Sequence, residues 1–321
     1  MNYFSTHEET MQLLRIVNRV TPAKGVVELE FVRADGGVLP QWAPGAHIDL
    51  KLDNSVTRQY SLMKGLLEPT NWRIAVLIEE FGRGGSLFIS KSVQMDTELV
   101  SVGPRNHFPL VRAENYLFIA GGIGITPIVP MLELAEEEGI PWKLAYLGKS
   151  LETMAYASDL LSAYGEKVQL YPKDQGKTYD LEKSIATVSE NTHVYSCGPE
   201  RLITALENSM VENLNNLHVE RFHPREIVLT EPNSEFTVYC KKSDVELLVP
   251  ADESILMAAD FEGIDIPGDC MEGTCGSCET RVIEGEVDHR DSVLSAQARA
   301  EGDTMMICIS RAKGNRLVID L

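Results

Sequence analysis

The chain has 321 residues, enough for two or three domains, and its 44% hydrophobic content argues against disorder. Against 29 basic residues stand 48 acidic ones, and the formal charge of −19 argues against nucleic acid or an anionic membrane as partner. The opening "MNYFSTHEETMQLL" has neither a basic leader nor an apolar core, and no run reaches the ~18 apolar residues of a membrane helix, so a cytoplasmic protein is expected.

Residues 1 to about 110 read as short strands: "VVELEFVR", "HIDLKL", "RQYSLM" and "WRIAVLI", punctuated by "ADGG", "APGA" and "FGRGG". Such spacing predicts an antiparallel barrel or sandwich. On "TRQYS", period two puts Arg58 and Tyr60 on one face and Gln59 and Ser61 on the other. An arginine can grip a phosphate and a tyrosine can stack on a flat ring. Downstream, Gly84, Gly85 and Ser86 of "GRGGSLF" offer a phosphate nest ahead of an apolar segment.

From residue 116 strands and helices alternate, which predicts a parallel α/β sheet. The strand "YLFIA" runs into "GGIGITP" and the helical "IVPMLELAEEEG". A glycine turn before a helix is an anion site, with Gly122 and Gly124 in the turn, Thr126 as its N-cap and Pro127 as the first helical residue. The third glycine of the dinucleotide fingerprint is missing. Further on, "HVYSCGPERL" puts Cys197 at the carboxyl end of another buried strand, where ligands bind in parallel sheets.

Near residue 224 the alternation stops, and "HPREIVLTEPNS" reads as a linker. Beyond it lie a hairpin, "EFTVYC-KKSD-VELLVP", a short helix in "ESILMAADFEG", and late strands in "MMICIS" and "RLVIDL". Residues 229 to 321 carry 19 acidic and 8 basic residues, more than half of the net charge, which suits either solubility or docking to a basic partner.

This last stretch also holds "GDCMEGTCGSCET", with Cys270, Cys275 and Cys278, followed by Cys308. A zinc ribbon needs two CxxC pairs, and a thioredoxin motif should open a helix in a βαβ unit. The observed C-x4-C-x2-C…C spacing is that of a plant-type [2Fe–2S] ferredoxin. Glycines let the loop backbone approach the cluster sulfurs, and Cys308 is expected on a core strand. Cys240 is expected to be packing.

In this order, "RQYS", "GRGGS", "GGIGITP", "CGPERL" and the ferredoxin cysteines resemble the phthalate dioxygenase reductase family, within the ferredoxin-NADP⁺ reductase-like superfamily; "PRNHFPL", "DHRD" and "ISRAKG" also look like it. The resemblance implies an FMN-binding β-barrel (1–112), an NADH-binding α/β domain (113–226) and a β-grasp [2Fe–2S] domain (227–321). It implies electron transfer from NADH through FMN and the cluster to a terminal oxygenase, typically a Rieske non-haem iron enzyme. The same cofactors would also serve a cytochrome P450 or a separate ferredoxin.

Carried over by residue, Arg58, Gln59, Tyr60 and Ser61 would hold FMN, with Arg58 on the phosphate, Tyr60 on the ring and Ser61 near its reactive nitrogen. Gly84, Gly85 and Ser86 would cradle the FMN phosphate. Gly122, Gly124 and Thr126 would face the NADH pyrophosphate, Cys197 the nicotinamide, and Phe222 of "VERF" would cover the flavin. Lys149 and Ser150, after "LAYLG", occupy the strand end that helps choose between NADH and NADPH. The "HRD" of His289 to Asp291 is expected to order the cluster loop.

Overall fold

The structure, a computed structural model, describes residues 10–52, 56–63, 71–227 and 232–321. Two compact units divide at Val219/Glu220.

The first unit opens with six strands: β1 (Thr10–Ala23), β2 (Val26–Arg33), β3 (His47–Lys51), β4 (Thr57–Ser61), β5 (Trp72–Leu77) and β6 (Glu98–Arg105), with helix α1 (Gly85–Ser92) between the last two. Their order is β4-β3-β6-β1-β2-β5, and every named pairing is antiparallel. A bridge between Met63 and Arg73 joins the two edges, so the sheet closes into a barrel and hides its edge strands. Alternation along β2 sends Val27, Leu29 and Phe31 into the barrel core with Ile48, Trp72 and Ile74. The opposite face of β2 is buried too, so its carboxylates need partners: Glu30 accepts from Asn71 Nδ2 at 2.6 Å and Glu28 from Tyr156 Oη at 2.5 Å.

The unit continues as β7 (Asn115–Gly121), α2 (Ile128–Glu137), β8 (Trp142–Gly148), α3 (Ala157–Tyr164), β9 (Val168–Pro172), α4 (Leu181–Ala186), β10 (Thr192–Cys197), α5 (Glu200–Ser209) and β11 (Leu217–Glu220). Strand order is β11-β10-β7-β8-β9, with β10, β7, β8 and β9 mutually parallel. From β7 the chain first moves outward through β8 and β9, then returns to lay β10 on the other side of β7. The carboxyl ends of β7 and β10 therefore form the switch point where open α/β sheets bind ligands. Barrel and sheet share a core: Val26, Met63, Ala75 and Phe108 pack with Phe118, Ile125 and Ile128.

The second unit contains β12 (Phe236–Cys240), β13 (Val245–Val249), α6 (Ile255–Phe261), β14 (Glu279–Glu284), β15 (Val287–Asp288), α7 (Ala296–Glu301), β16 (Thr304–Met306), β17 (Arg311–Ala312) and β18 (Arg316–Ile319). Five strands in the order β13-β12-β18-β14-β16 carry α6 against one core, with β15 and β17 paired separately. β12 runs parallel to β18 and antiparallel to its hairpin partner β13. Cys240 is buried in this core, as expected of packing.

Two expectations on local structure fail. Thr126 is not an N-cap: Gly122–Ile125 form a 3-10 turn, Thr126 is itself helical (φ −59°, ψ −49°), and α2 starts at Ile128 with Pro127 as its cap. The glycines wind the chain before the hydroxyl can serve, and Thr126 Oγ1 donates to Ile123 O instead. Cys308 is not on a strand: β16 ends at Met306, and Ile309 N and Ser310 N both bond Met306 O to close a turn around the cysteine. The apolar segment after "GRGGS" proves to be the helix α1. Part of the expected linker, residues 228–231, and the opening residues 1–9 lie outside the described residues.

Candidate functional site

The cysteine loop bends where its glycines allow. Gly273 and Gly276 take φ of 65° and 77°, and Met271 is also left-handed at 57°. A Cβ on Gly273 would stand 2.6 Å from Ile309 Cγ2 and 3.0 Å from Asp291 Cα, so loop, turn and HRD segment meet there without room for a side chain. Cys275, Cys278 and Cys308 are buried, and Cys270 is half-buried. Backbone N–H groups point at the sulfurs: Glu272 and Thr274 donate to Cys270 Sγ and Ser277 to Cys275 Sγ, each at 3.4 Å.

The four thiols are linked in a row, Cys275 to Cys270, Cys270 to Cys308 and Cys308 to Cys278. Contact with the Cys275 thiol, then with Cys308, holds Cys270 well below the ordinary thiol range, and contact with Cys308 lowers Cys278. Cys275 and Cys308, the proton donors in these contacts, are pushed up. Among the described residues no group of three or more His, Cys, Asp or Glu side chains is arranged around a single ion. A [2Fe–2S] cluster asks for something different, four thiolates shared by two irons. Four thiols linked in a row, with amides aimed at Cys270 and Cys275, fit that group.

Asp291 fastens this loop. It is fully buried and accepts from Val293 N at 3.0 Å and Leu294 N at 2.7 Å. Burial works against its ionisation, but the His289 ring, the Leu294 amide and the Arg299 charge outweigh burial and leave its carboxyl below the usual range. Ser292 N then donates to Gly273 O at 2.8 Å, tying the HRD segment to the cysteine loop.

On the barrel, β4 pairs with β3 so that Arg58 and Tyr60 share a face with Leu50 and Ile48, and Gln59 and Ser61 share the other with Asp49 and His47. Tyr60 packs on the barrel core, and burial raises its phenol's pKa despite the neighbouring Arg58 cation. Arg58 lies across the start of α1: a Cβ on Gly85 would meet its Cγ at 2.8 Å and its Nε at 3.0 Å. Gly84, left-handed at φ 87°, opens that helix, and Ser86 Oγ accepts from Glu79 N at 3.0 Å. A guanidinium beside unpaired helix N–H groups suits a phosphate. Ser61 Oγ is buried with no hydrogen-bond partner, an orphan that a polar ring atom would satisfy. These residues fit a flavin mononucleotide.

The same face of β3 carries a feature that composition hid. Asp49, with no exposure, pairs with the buried Arg105 of "PRNHFPL". The nearby His47 and His107 rings stack at 5.8 Å.

The two nucleotide motifs come together at the switch point. A Cβ on Gly124 would stand 2.2 Å from Cys197 O, and one on Gly121 would meet Pro199 Cδ at 2.6 Å. Gly122 is left-handed (φ 58°) and open to solvent space, with its carbonyl accepting from Tyr146 Oη at 3.1 Å. Cys197 and Thr126 are buried, and Thr126 Oγ1 donates to Ile123 O. Ser150 Oγ and Thr153 Oγ1 lie 3.2 Å apart in a reciprocal cap, beside Lys149. Phe222 lies in the second unit and is 39% exposed. Sequence reasoning also missed His193 and His218, whose rings meet on adjacent strands with Nδ1 to Nε2 at 2.8 Å.

Comparison with known proteins agrees with this geometry. Residues 238–313 match the 2Fe-2S iron-sulfur cluster binding domain family. The chain is 35% identical over 315 residues to the carnitine monooxygenase reductase subunit of Escherichia coli, covering 95% of this chain and 97% of that one. A solved structure described as phthalate dioxygenase reductase, with a modular structure for electron transfer from pyridine nucleotides to [2Fe-2S], matches with TM-score 0.69 and 31% identity over 98% of each chain. A type IV self-sufficient cytochrome P450 monooxygenase matches with TM-score 0.91 and 39% identity, covering 97% of this chain but 41% of that longer one.

Fold and site thus define a flavin- and pyridine-nucleotide-dependent iron–sulfur oxidoreductase. The chain belongs to the phthalate dioxygenase reductase family, the FMN-, NADH- and [2Fe–2S]-dependent reductase components of two-component oxygenases.

Proposed function

We propose that this reductase passes electrons from NADH, through FMN and its cluster, to a Rieske-type oxygenase that docks on the cluster-bearing unit. The carrying observation is the nest of Cys270, Cys275, Cys278 and Cys308, with backbone amides aimed at its sulfurs. The proposed division of labour is 1–112 for flavin, 113–226 for nucleotide and 227–321 for the cluster. Arg58 with Gly84, Gly85 and Ser86 holds the FMN phosphate, while Gln59, Tyr60 and Ser61 contact its ring. Gly122, Gly124 and Thr126 face the NADH pyrophosphate. Cys197 stands near the nicotinamide. A flavin bound there divides the two-electron hydride into single electrons that a cluster can accept.

An oxygenase is preferred over a cytochrome P450 as acceptor because the relatives aligned end to end are named reductase subunits of oxygenase systems, whereas the P450 likeness covers part of a longer chain. No helix among the described residues is long and apolar enough to cross a membrane, and a cytoplasmic setting completes the proposal. The test is the absorption spectrum of the purified protein. A flavin band near about 450 nm with cluster shoulders, bleached by NADH, is expected. A colourless, zinc-containing protein would overturn the reading.

A further inference from the structure

The second unit has a lopsided surface. From Ser243 to Thr280 the sequence holds ten acidic residues and no Lys, Arg or His. Within that stretch lies α6, and its outward face is apolar: Met257 and Phe261, one turn apart, are 49% and 89% exposed. An aromatic so exposed is unusual where a buried core was available to it. Asp260 and Glu262 flank Phe261, and both are exposed.

This face adjoins the cysteine nest. Leu256 N, at the start of α6, donates to Ile307 O at 3.1 Å, beside Cys308 in its turn. On the other side, the space a Cβ would take on Gly268 is bounded by Leu256 Cδ2 at 2.4 Å and Met271 Sδ at 3.4 Å. Met271, next to Cys270, is 45% exposed. Leu256 thus ties α6 to the cysteine loop, and the exposed Met271 of that loop with Met257 and Phe261 of the helix make up one apolar strip, Asp260 and Glu262 standing beside Phe261.

The geometry points to this strip as the surface that receives the electron acceptor. Its occupant is a protein face with an apolar centre and a Lys/Arg rim, the complement of Met271, Met257 and Phe261 inside Asp260 and Glu262. A second copy of this chain is a poor occupant, because it would bring the same acids to the same place. The inference rests on the proposed electron-transfer role and specifies where the partner sits. Phe261 acts as the anchor, whose contribution outlasts salt, and the acids speed and orient encounter, which salt screens.

Cytochrome c, a basic protein with an exposed redox edge, is a probe of known charge. Its complex with the full chain is titrated directly, with no turnover, at low and high ionic strength. NADH-driven reduction of ferricyanide, a small acceptor, is measured in parallel. The double variant Asp260→Lys, Glu262→Lys should weaken the complex roughly tenfold or more at low salt and little at high salt. Phe261→Ala should weaken it about tenfold under both conditions. Ferricyanide reduction should stay unchanged in both variants, as should bleaching by NADH. Normal cytochrome c binding by Phe261→Ala, or an equal loss from Glu190→Lys on the first unit, would overturn the inference while leaving the electron-transfer role standing. Self-association of the wild-type chain abolished by Phe261→Ala would also overturn it, in favour of a second copy. Failure of NADH to bleach the wild-type protein is a separate outcome, which sinks the proposed function instead.

Discussion

In the loop of residues 268–280 the side chains carry the chemistry, and the backbone turns left-handed at Met271, Gly273 and Gly276 to deliver them. In the loops after β7 and β10 the order is reversed. There the side chains have been removed, so that Gly121 and Gly124 can rest on Gly198, Pro199 and the Cys197 carbonyl. On the proposed reading, one region bonds a metal cluster and the other brings main chain close to a ligand. The first should be intolerant of changed functional groups, and the second of added volume.

The sharpest way to break this contrast is Cys275→Ala. It should lower NADH-driven cytochrome c reduction on the order of a hundredfold while ferricyanide reduction stays within about twofold. Equal loss of both activities would mean that the cysteine loop is not the outlet. Gly124→Ala tests the opposite rule. Its methyl would fall 2.2 Å from Cys197 O, so a loss of about 2–3 kcal/mol in urea unfolding is expected, with a raised KM for NADH. Gly122→Ala has open space around it and should cost only about 1 kcal/mol of left-handed strain. If the two alanines behave alike, packing of the paired loops is not what selects glycine.

Acid should separate the two regions. Burial, reinforced by His193, lowers the His218 pKa from the ordinary 6.5 to about 4. The neutral ring is therefore favoured in the fold, and its contribution is complete above pH 6.5 and lost as pH falls toward 4. That loss is on the order of 3 kcal/mol, and His218→Phe should flatten most of it in denaturant melts at pH 7, 5.5 and 4. Asp291 is held below its ordinary 3.8; its contribution persists down to that pH and disappears only in stronger acid. The parallel sheet should weaken before the cysteine loop does. The smallest expected effect is at Ser61. Removing a buried, unpartnered hydroxyl with Ser61→Ala should stabilise the flavin-free protein by about 1 kcal/mol in thermal melts while weakening FMN binding. A destabilised apoprotein would mean that the hydroxyl already has a role without flavin.

Much of this was legible in the sequence because metal ligation and close backbone approach leave fixed spacings. The cysteines kept theirs, and the glycine turn and "CGP" were recognisable before the sheet order placed them on adjacent strands. Capping was less legible, because Thr126 obeyed the turn wound by Gly122–Ile125 and not its own propensity. Cys308 was misplaced because "MMICIS" has a strand's composition, while the turn closing on the Met306 carbonyl has no composition of its own. The Asp49–Arg105 pair and the His193–His218 contact join residues far apart in sequence or on separate strands. Only register brings them together, and local pattern carries none of it. The apolar face of α6 was equally hidden, since a buried Leu256 and an exposed Phe261 look alike in composition.

The core shared by barrel and parallel sheet bears on how such a chain can be recombined. Val26, Met63, Ala75 and Phe108 are packed among residues of β7 and α2, so a chimera spliced at residue 112 would pair two half-surfaces that were never shaped for each other. Among the described residues, a splice at Val219/Glu220 cuts through none of the four core clusters. Cassette exchange between reductases of this kind should therefore succeed with two pieces where a count of cofactors suggests three.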